Sequence, residues 1–140
     1  MQAYEYGILC AASDEAILIK NVNAFLATQG WRPLYCKQPT GLRNPAQPEL
    51  EPQYSHYYCQ FLKQSPRWYF DLYPNADKRG VLRFPQHPQA GWTLFISYPG
   101  YPRDTPEELA KLDAVRGQIV ASTSFATALL HSYQPGEDRL

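Results

Sequence analysis

Aromatic residues crowd one stretch of this 140-residue chain, between positions 54 and 73. Eight of those twenty residues are aromatic, and they fall into two runs separated by Lys63-Gln64-Ser65-Pro66. In the second run Trp68, Phe70 and Leu72 alternate with more polar residues, and a period of two is typical of a strand with one buried face. The pattern predicts an antiparallel hairpin, because aromatic residues favour strands and the short polar segment provides a turn.

A strand followed by a helix is predicted at the start of the chain. The run from Tyr4 to Ala12 is apolar and too short for an ordinary helix, which favours a buried strand. We expect Ser13 to cap the helix that follows, since a hydroxyl can accept a hydrogen bond from the first helical turn. Apolar residues then recur at the spacing of one helix face. They are Leu18, Ile19, Val22, Phe25 and Leu26.

The second half of the chain predicts further strands and a second helix. Strand-like runs occupy residues 31–37, 81–84 and 92–98. Thr105 and Glu108 form a capping box around Pro106, which indicates a helix start. We expect this helix to continue, with a kink or a break at the serine and threonine residues 122–124, to about residue 134.

The predicted order of elements is β-α-β-β-β-β-β-α. It indicates an α+β fold, a two-layer sandwich in which two main helices cover one face of a mostly antiparallel sheet of about six strands. We expect a single domain over residues 1–140. A proline-rich surface loop is expected at 38–53 and a frayed tail at 134–140.

Composition and charge favour a cytoplasmic protein. The chain has 44% hydrophobic and 19% charged residues, which is the balance of a globular domain. The first residues lack the basic segment of a signal peptide, and no apolar run approaches the ~18 residues of a membrane span. Cys10, Cys36 and Cys59 form an odd set without close spacing, so we expect reduced, packed thiols.

The sequence contains no pattern that predicts catalysis, a metal site or a cofactor. His56 and Cys59 are three residues apart, and in a strand that spacing places them on opposite faces. The three histidines lack the helical spacing of zinc hydrolases, and His131 is expected near the end of the second helix, where a cation suits the helix dipole. No glycine-rich phosphate loop is present.

The preferred interpretation of the aromatic hairpin is that it binds a protein partner. Tyr58, Arg67, Tyr69 and Tyr73 are expected on its exposed face, and tyrosine and arginine are enriched in protein interfaces. Glu49 and Glu51, in the proline-rich loop, are expected to meet a basic part of the partner. In size and architecture the chain resembles small bacterial immunity or inhibitor proteins, which implies a non-enzymatic domain that neutralises a toxin or effector by occlusion.

Two alternatives remain open at this point. A small-ligand binder or enzyme would have an aromatic-lined pocket between the sheet and the helices. A single-stranded nucleic-acid binder would stack bases on the exposed tyrosines, helped by a net charge of +6 over residues 16–103, where ten Lys or Arg face four acids. The zero net charge of the whole chain counts against nucleic acid.

Overall fold

The computed structural model describes residues 2–28, 32–37, 58–64, 67–77, 79–98, 105–134 and 136–138. It confirms an α+β fold with an antiparallel sheet and two helices. The strands are β1 (Gln2–Ile8), β2 (Arg32–Lys37), β3 (Tyr58–Gln64), β4 (Arg67–Pro74), β5 (Trp92–Tyr98) and β6 (Thr127–Tyr133). The helices are α1 (Glu15–Thr28), which follows a 3-10 turn at Ala12–Asp14, and α2 (Pro106–Ala121).

The strands lie in the order β2-β3-β4-β5-β1-β6, and every neighbouring pair is antiparallel. The aromatic segment therefore forms the β3–β4 hairpin that its alternation predicts. The first strand of the chain is inserted between β5 and β6, so the two ends of the chain meet in neighbouring strands. This arrangement brings residues that are far apart in sequence onto one face of the sheet.

The start of α1 differs from the expectation in one detail. Ser13 does not cap the helix, because it lies inside the 3-10 turn that precedes α1. The carboxylate of Asp14 instead accepts a hydrogen bond from the backbone N–H of Ala11 at 3.0 Å. A carboxylate is a stronger acceptor than a hydroxyl and also interacts favourably with the positive end of the helix dipole.

The apolar face predicted for α1 packs into a core that also contains residues of α2. Leu18, Val22 and Leu26 of α1 are buried there with Leu112 and Ile119 of α2. Alternate strand residues complete the core from the sheet side, as the period of two predicts for β5. They are Ile8, Leu72, Trp92, Leu94, Ile96 and Tyr98.

The opposite face of the central strands is buried as well. All seven residues of β5 are buried, so Thr93, Phe95 and Ser97 are as inaccessible as the residues that face the helices. Phe95 forms a second apolar cluster with Ala3, Tyr73 and Tyr133. The expectation of one open sheet face is therefore wrong at the centre of the sheet.

The predicted continuation of the second helix is also wrong. Helix α2 ends at Ala121, and residues 127–133 form β6 beside β1. The side chains of Ser122 and Thr123 donate hydrogen bonds to the carbonyls of Ile119 and Val120, which satisfies the end of the helix. Ser124 then adopts a φ of +61°, a left-handed conformation that ends the helix and turns the chain.

Residues 75–91, called the crossing segment below, connect β4 to β5. The expected strand at 81–84 is limited to a single bridge between Leu82 and Ala76. The side chain of the buried Asn75 donates to the carbonyls of His87 and Ala90 and accepts from the N–H of Phe84. These bonds replace the strand pairing that the sequence pattern predicts, because one amide side chain satisfies three separate backbone groups.

Candidate functional site

The residues predicted to contact a partner are spread over several parts of the chain. Glu49 and Glu51 lie outside the described residues. Arg67 and Tyr69 lie two residues apart in β4, next to the turn of the hairpin, while Tyr58 begins β3 at the far end. The hairpin register separates Tyr58 from Arg67 by roughly 20 Å along the strands.

Tyr73 is an interior residue rather than part of an exposed face. Its side chain is only 2% exposed. Its phenol donates a hydrogen bond to Oε2 of Glu5 at 2.6 Å. The expected exposure of Tyr73 is therefore wrong, because the crossing segment places the Arg83 guanidinium 4.7 Å from the centre of its ring.

Glu5 is the centre of a buried polar cluster. The residue is 0% exposed, and Oε1 of its carboxylate accepts from the phenol of Tyr133 at 3.1 Å. Nη2 of Arg83 lies 3.1 Å from the same oxygen and forms an ion pair with it. With the Tyr73 phenol, three donors from β4, β6 and the crossing segment meet one carboxylate of β1. We call Glu5, Tyr73, Arg83 and Tyr133 the Glu5 cluster.

The carboxylate of Glu5 is buried, and three donors are hydrogen-bonded to it. Burial raises the pKa of the Tyr73 phenol, and the nearby Glu5 carboxylate raises it further. The phenol therefore stays protonated and remains a hydrogen-bond donor. Because Glu5 has no exposed surface, a substrate could reach its carboxylate only after the surrounding structure had opened. The contacts of this carboxylate stabilise the fold.

Sequence reasoning missed the Glu5 cluster, although one signal pointed toward it. Glu5 is the sole charged residue in the apolar run that predicts β1. An acid in a buried strand requires a compensating partner, because an unpaired buried charge is very costly. The partners are 68, 78 and 128 residues away in sequence, so no local pattern could identify them.

A groove of about 600 Å³ lies between the start of α1 and the crossing segment. Its walls are mostly apolar, and Phe125 is the one aromatic residue among the described residues that line it. Leu9, Leu82 and Pro88 contribute larger apolar side chains. The groove differs from the aromatic pocket between sheet and helices that the small-ligand alternative predicts.

Cys10 and Asp14 are the titratable residues that line this groove. Burial, helped by the negative charge of Asp14, raises the pKa of the Cys10 thiol to about 11. At neutral pH the thiol is protonated, and a protonated thiol is a poor nucleophile and a poor metal ligand. Cys10 therefore behaves as a packed thiol, as expected for it from the sequence.

The histidines within the described residues do not converge on a metal site. His131 lies in β6, not at a helix end as expected, and its Nε2 contacts Oε1 of Glu137 at 2.5 Å. Glu137, which lies within the expected frayed tail, also accepts a hydrogen bond from the backbone N–H of Gln134. Among the described residues, no group of three or more His, Cys, Asp or Glu is placed to hold a metal ion.

A strip of partly exposed aromatic and apolar side chains runs along β1 and β6 on the helix side. Tyr6 lies opposite Leu129 in the strand register, and Leu129 is 54% exposed. The guanidinium of Arg116, from α2, lies 4.0 Å from the centre of the Tyr4 ring. We call Tyr4, Tyr6, Arg116 and Leu129 the β1–β6 strip.

The two edges of the sheet differ in how they are protected. Edge strand β2 contains Arg32, Pro33 and Lys37, and charged residues and proline discourage pairing with another chain. Edge strand β6, by contrast, contains no proline, Lys, Arg, Asp or Glu. A β-bulge opposite Glu5 and Tyr6 interrupts its inner ladder. The β1–β6 strip thus adjoins the uncharged edge of the sheet.

No protein-family model matches this chain, and a search of curated proteins finds no match. Within the described ranges, neither helix combines the length and the apolar character that crossing a bilayer requires.

Proposed function

We propose that this protein is a non-enzymatic protein-binding domain that acts by covering part of a partner's surface. The observation that carries the proposal is the β1–β6 strip, where two tyrosines, an arginine and an exposed leucine adjoin an uncharged edge strand. Tyrosine and arginine dominate the energetically important positions of protein interfaces. The strip therefore has the composition of a binding surface.

The geometry of the strip favours binding over catalysis. Burial raises the pKa of the Tyr6 phenol, although the positive charge of Arg116 opposes this effect, so the phenol remains a neutral donor. Stacking on Tyr4 and the 3.4 Å ion pair with Asp113 restrict the motion of Arg116. Side chains that are ordered before binding lose less conformational entropy when a partner arrives.

The specific role that we propose is that of an inhibitor or immunity protein. Such a domain would neutralise a bacterial toxin or effector in the cytoplasm by occlusion, and its likeness to this chain rests on size and architecture. Tyr58, Arg67, Tyr69, Glu49 and Glu51 belong to the proposal as further contact residues. The two-layer arrangement inferred from the sequence would present the β1–β6 strip beside the helices.

The proposal is tested by capturing the tagged protein with its partner from the native lysate and identifying the partner by mass spectrometry. The test variant is Leu129→Lys, and the matched control is Val81→Lys, because Val81 is 61% exposed on the crossing segment. We expect a stoichiometric protein whose recovery falls at least ~10-fold with Leu129→Lys, since a charge at an apolar contact costs on the order of 1.4 kcal/mol or more. The Val81→Lys variant should recover the same partner in the wild-type amount.

Two results would contradict the proposal. In the first, Leu129→Lys and Val81→Lys recover equal amounts of the partner although both variants melt at the wild-type temperature. In the second, the wild-type protein captures no stoichiometric partner from the lysate. Replacing Arg67 and Tyr69 by Ala in the same assay then shows whether the hairpin turn belongs to the contact surface.

The groove beside Cys10 favours a second candidate function, the binding of a small apolar ligand. Its volume of about 600 Å³ is within the range of ligand sites. A metabolite screen by thermal shift tests it, because ligand at 100 times its Kd stabilises the fold by roughly 2.7 kcal/mol. Ala11→Phe, at the exposed rim of the groove, should abolish a genuine shift. A shift that persists in this variant would place the ligand elsewhere.

A further inference from the structure

Two of the three cysteines are brought together by the register of β2 and β3. Cys36 and Cys59 are directly opposite each other in this antiparallel pair. Opposed residues in such a pair have Cα atoms about 4.5 or 5.5 Å apart, depending on the hydrogen-bonding position. A disulfide requires a Cα separation of roughly 4.4–6.8 Å. Both positions of the ladder therefore meet the backbone requirement for a disulfide.

We propose that Cys36 and Cys59, which the β2–β3 register places opposite each other, form a reversible cross-strand disulfide. This redox site is independent of the proposed function. It also differs from the expectation of reduced thiols, because the two positions are separated by 22 residues in sequence and only strand pairing brings them together. Cytosolic disulfides are usually transient and serve catalysis or redox sensing.

The proposed reaction is thiol–disulfide exchange with a small-molecule disulfide. One thiolate of the pair attacks a sulfur of the reagent, which forms a mixed disulfide and releases one molecule of thiol. The second thiolate then attacks the protein sulfur of that mixed disulfide and releases the other molecule of thiol. Two protein thiols are oxidised, and the reagent is reduced to two thiols.

Cys10 does not compete for either member of the pair. It follows β1, and the sheet order places β3, β4 and β5 between β2 and β1. Neighbouring strands are about 4.8 Å apart, so Cys10 is too far away for a disulfide with Cys36. Because β4 and β5 also lie between β3 and β1, the same argument excludes a disulfide between Cys10 and Cys59. Cys10 is also 9% exposed with a protonated thiol, which makes it an internal control for chemical modification.

The experiment incubates the full-length protein with oxidised glutathione, blocks the remaining thiols with iodoacetamide under denaturing conditions and maps the peptides by mass spectrometry. We expect a peptide pair linked through Cys36 and Cys59, with Cys10 alkylated. The Cys10→Ser variant should form the same link. In Cys36→Ser or Cys59→Ser, the remaining partner should instead retain glutathione as a mixed disulfide.

Formation of the link should also raise the thermal stability of the wild-type protein. Closing the chain between positions 36 and 59 restricts the unfolded state, and we expect Tm to rise on the order of 10 °C on oxidation. Cys59→Ser should melt at the same temperature with and without oxidant. The proposal would be overturned if both Cys36 and Cys59 were alkylated after oxidation. A disulfide that involves Cys10, or one that joins two chains, would overturn it as well. The wild-type peptide map decides this even if a serine variant fails to fold.

Discussion

At the scale of single residues, environment decides what each titratable side chain can do. Glu5 is tolerated inside the sheet because two phenols and a guanidinium donate to its carboxylate. Cys10 lacks any such compensation, and its environment keeps the thiol neutral. Burial of an ionisable group thus leads either to a set of donors or to loss of the charge.

The neutral state of Cys10 leads to a test of its reactivity with iodoacetamide. A pKa of about 11, against an ordinary value of 9.0, lowers the thiolate fraction at pH 8 about 100-fold. We expect alkylation of Cys10 in the folded protein to be slower than in the urea-unfolded protein by at least this factor. The rate should keep rising tenfold per pH unit up to about pH 10, because the thiolate is the reactive form.

Peptide mapping of timed samples gives the rate at Cys10 without interference from the other cysteines. A rate that levels off near pH 9 would show an ordinary thiol and would contradict the assigned environment. Loss of structure at high pH is controlled by far-UV circular dichroism over the same range.

At the scale of elements, the sequence predicted the helix and strands whose apolar residues follow a clear local period. It missed the strand that forms only through contacts with residues distant in sequence. The α1 stripe and the alternation of β5 follow from the spacing of apolar residues. The region of Leu129 and Leu130 fits a helix and a strand about equally well, and pairing with β1 decides between them. The hydrogen bonds of Ser122 and Thr123 that end α2 depend on geometry that residue type alone does not fix.

Gly91, at the end of the crossing segment, and Gly117, in α2, provide a matched test of close packing. A Cβ at Gly91 would lie 2.3 Å from the carbonyl oxygen of Cys10, while a Cβ at Gly117 in α2 would meet nothing within 4 Å. Gly117→Ala should stabilise the protein by up to about 1 kcal/mol, because alanine favours a helix over glycine. Gly91→Ala should destabilise it by about 2 kcal/mol or more, since backbone atoms must move.

Urea unfolding of both variants measures the two changes in the free energy of unfolding. The comparison is informative because the chemical substitution is identical and only the surroundings differ. A neutral Gly91→Ala would show that the end of the crossing segment does not approach Cys10 as closely as the backbone hydrogen bond from Gly91 to Cys10 requires.

At the scale of the whole molecule, the Glu5 cluster joins parts of the chain that are remote in sequence. Glu5 comes from β1, Tyr73 from β4, Arg83 from the crossing segment and Tyr133 from β6. Helix–sheet packing holds one face of the sheet together, and this cluster contributes the corresponding contacts on the other face. The domain should therefore unfold as one cooperative unit.

Arg83→Gln tests this role of the cluster. The substitution removes the cation that pairs with a fully buried carboxylate, and breaking such a pair costs about 3 kcal/mol or more. Arg79→Gln is the matched control, because Arg79 is an exposed residue of the same segment and should change stability by less than ~0.5 kcal/mol. Denaturant unfolding is followed by tryptophan fluorescence and by far-UV circular dichroism.

Because the cluster connects three strands to the crossing segment, we expect both probes to report a single transition, and we expect Arg83→Gln to shift it equally for both. Separate transitions in the wild-type protein would mean that the cluster holds only the crossing segment, and a shift no larger than that of Arg79→Gln would mean that the ion pair contributes little.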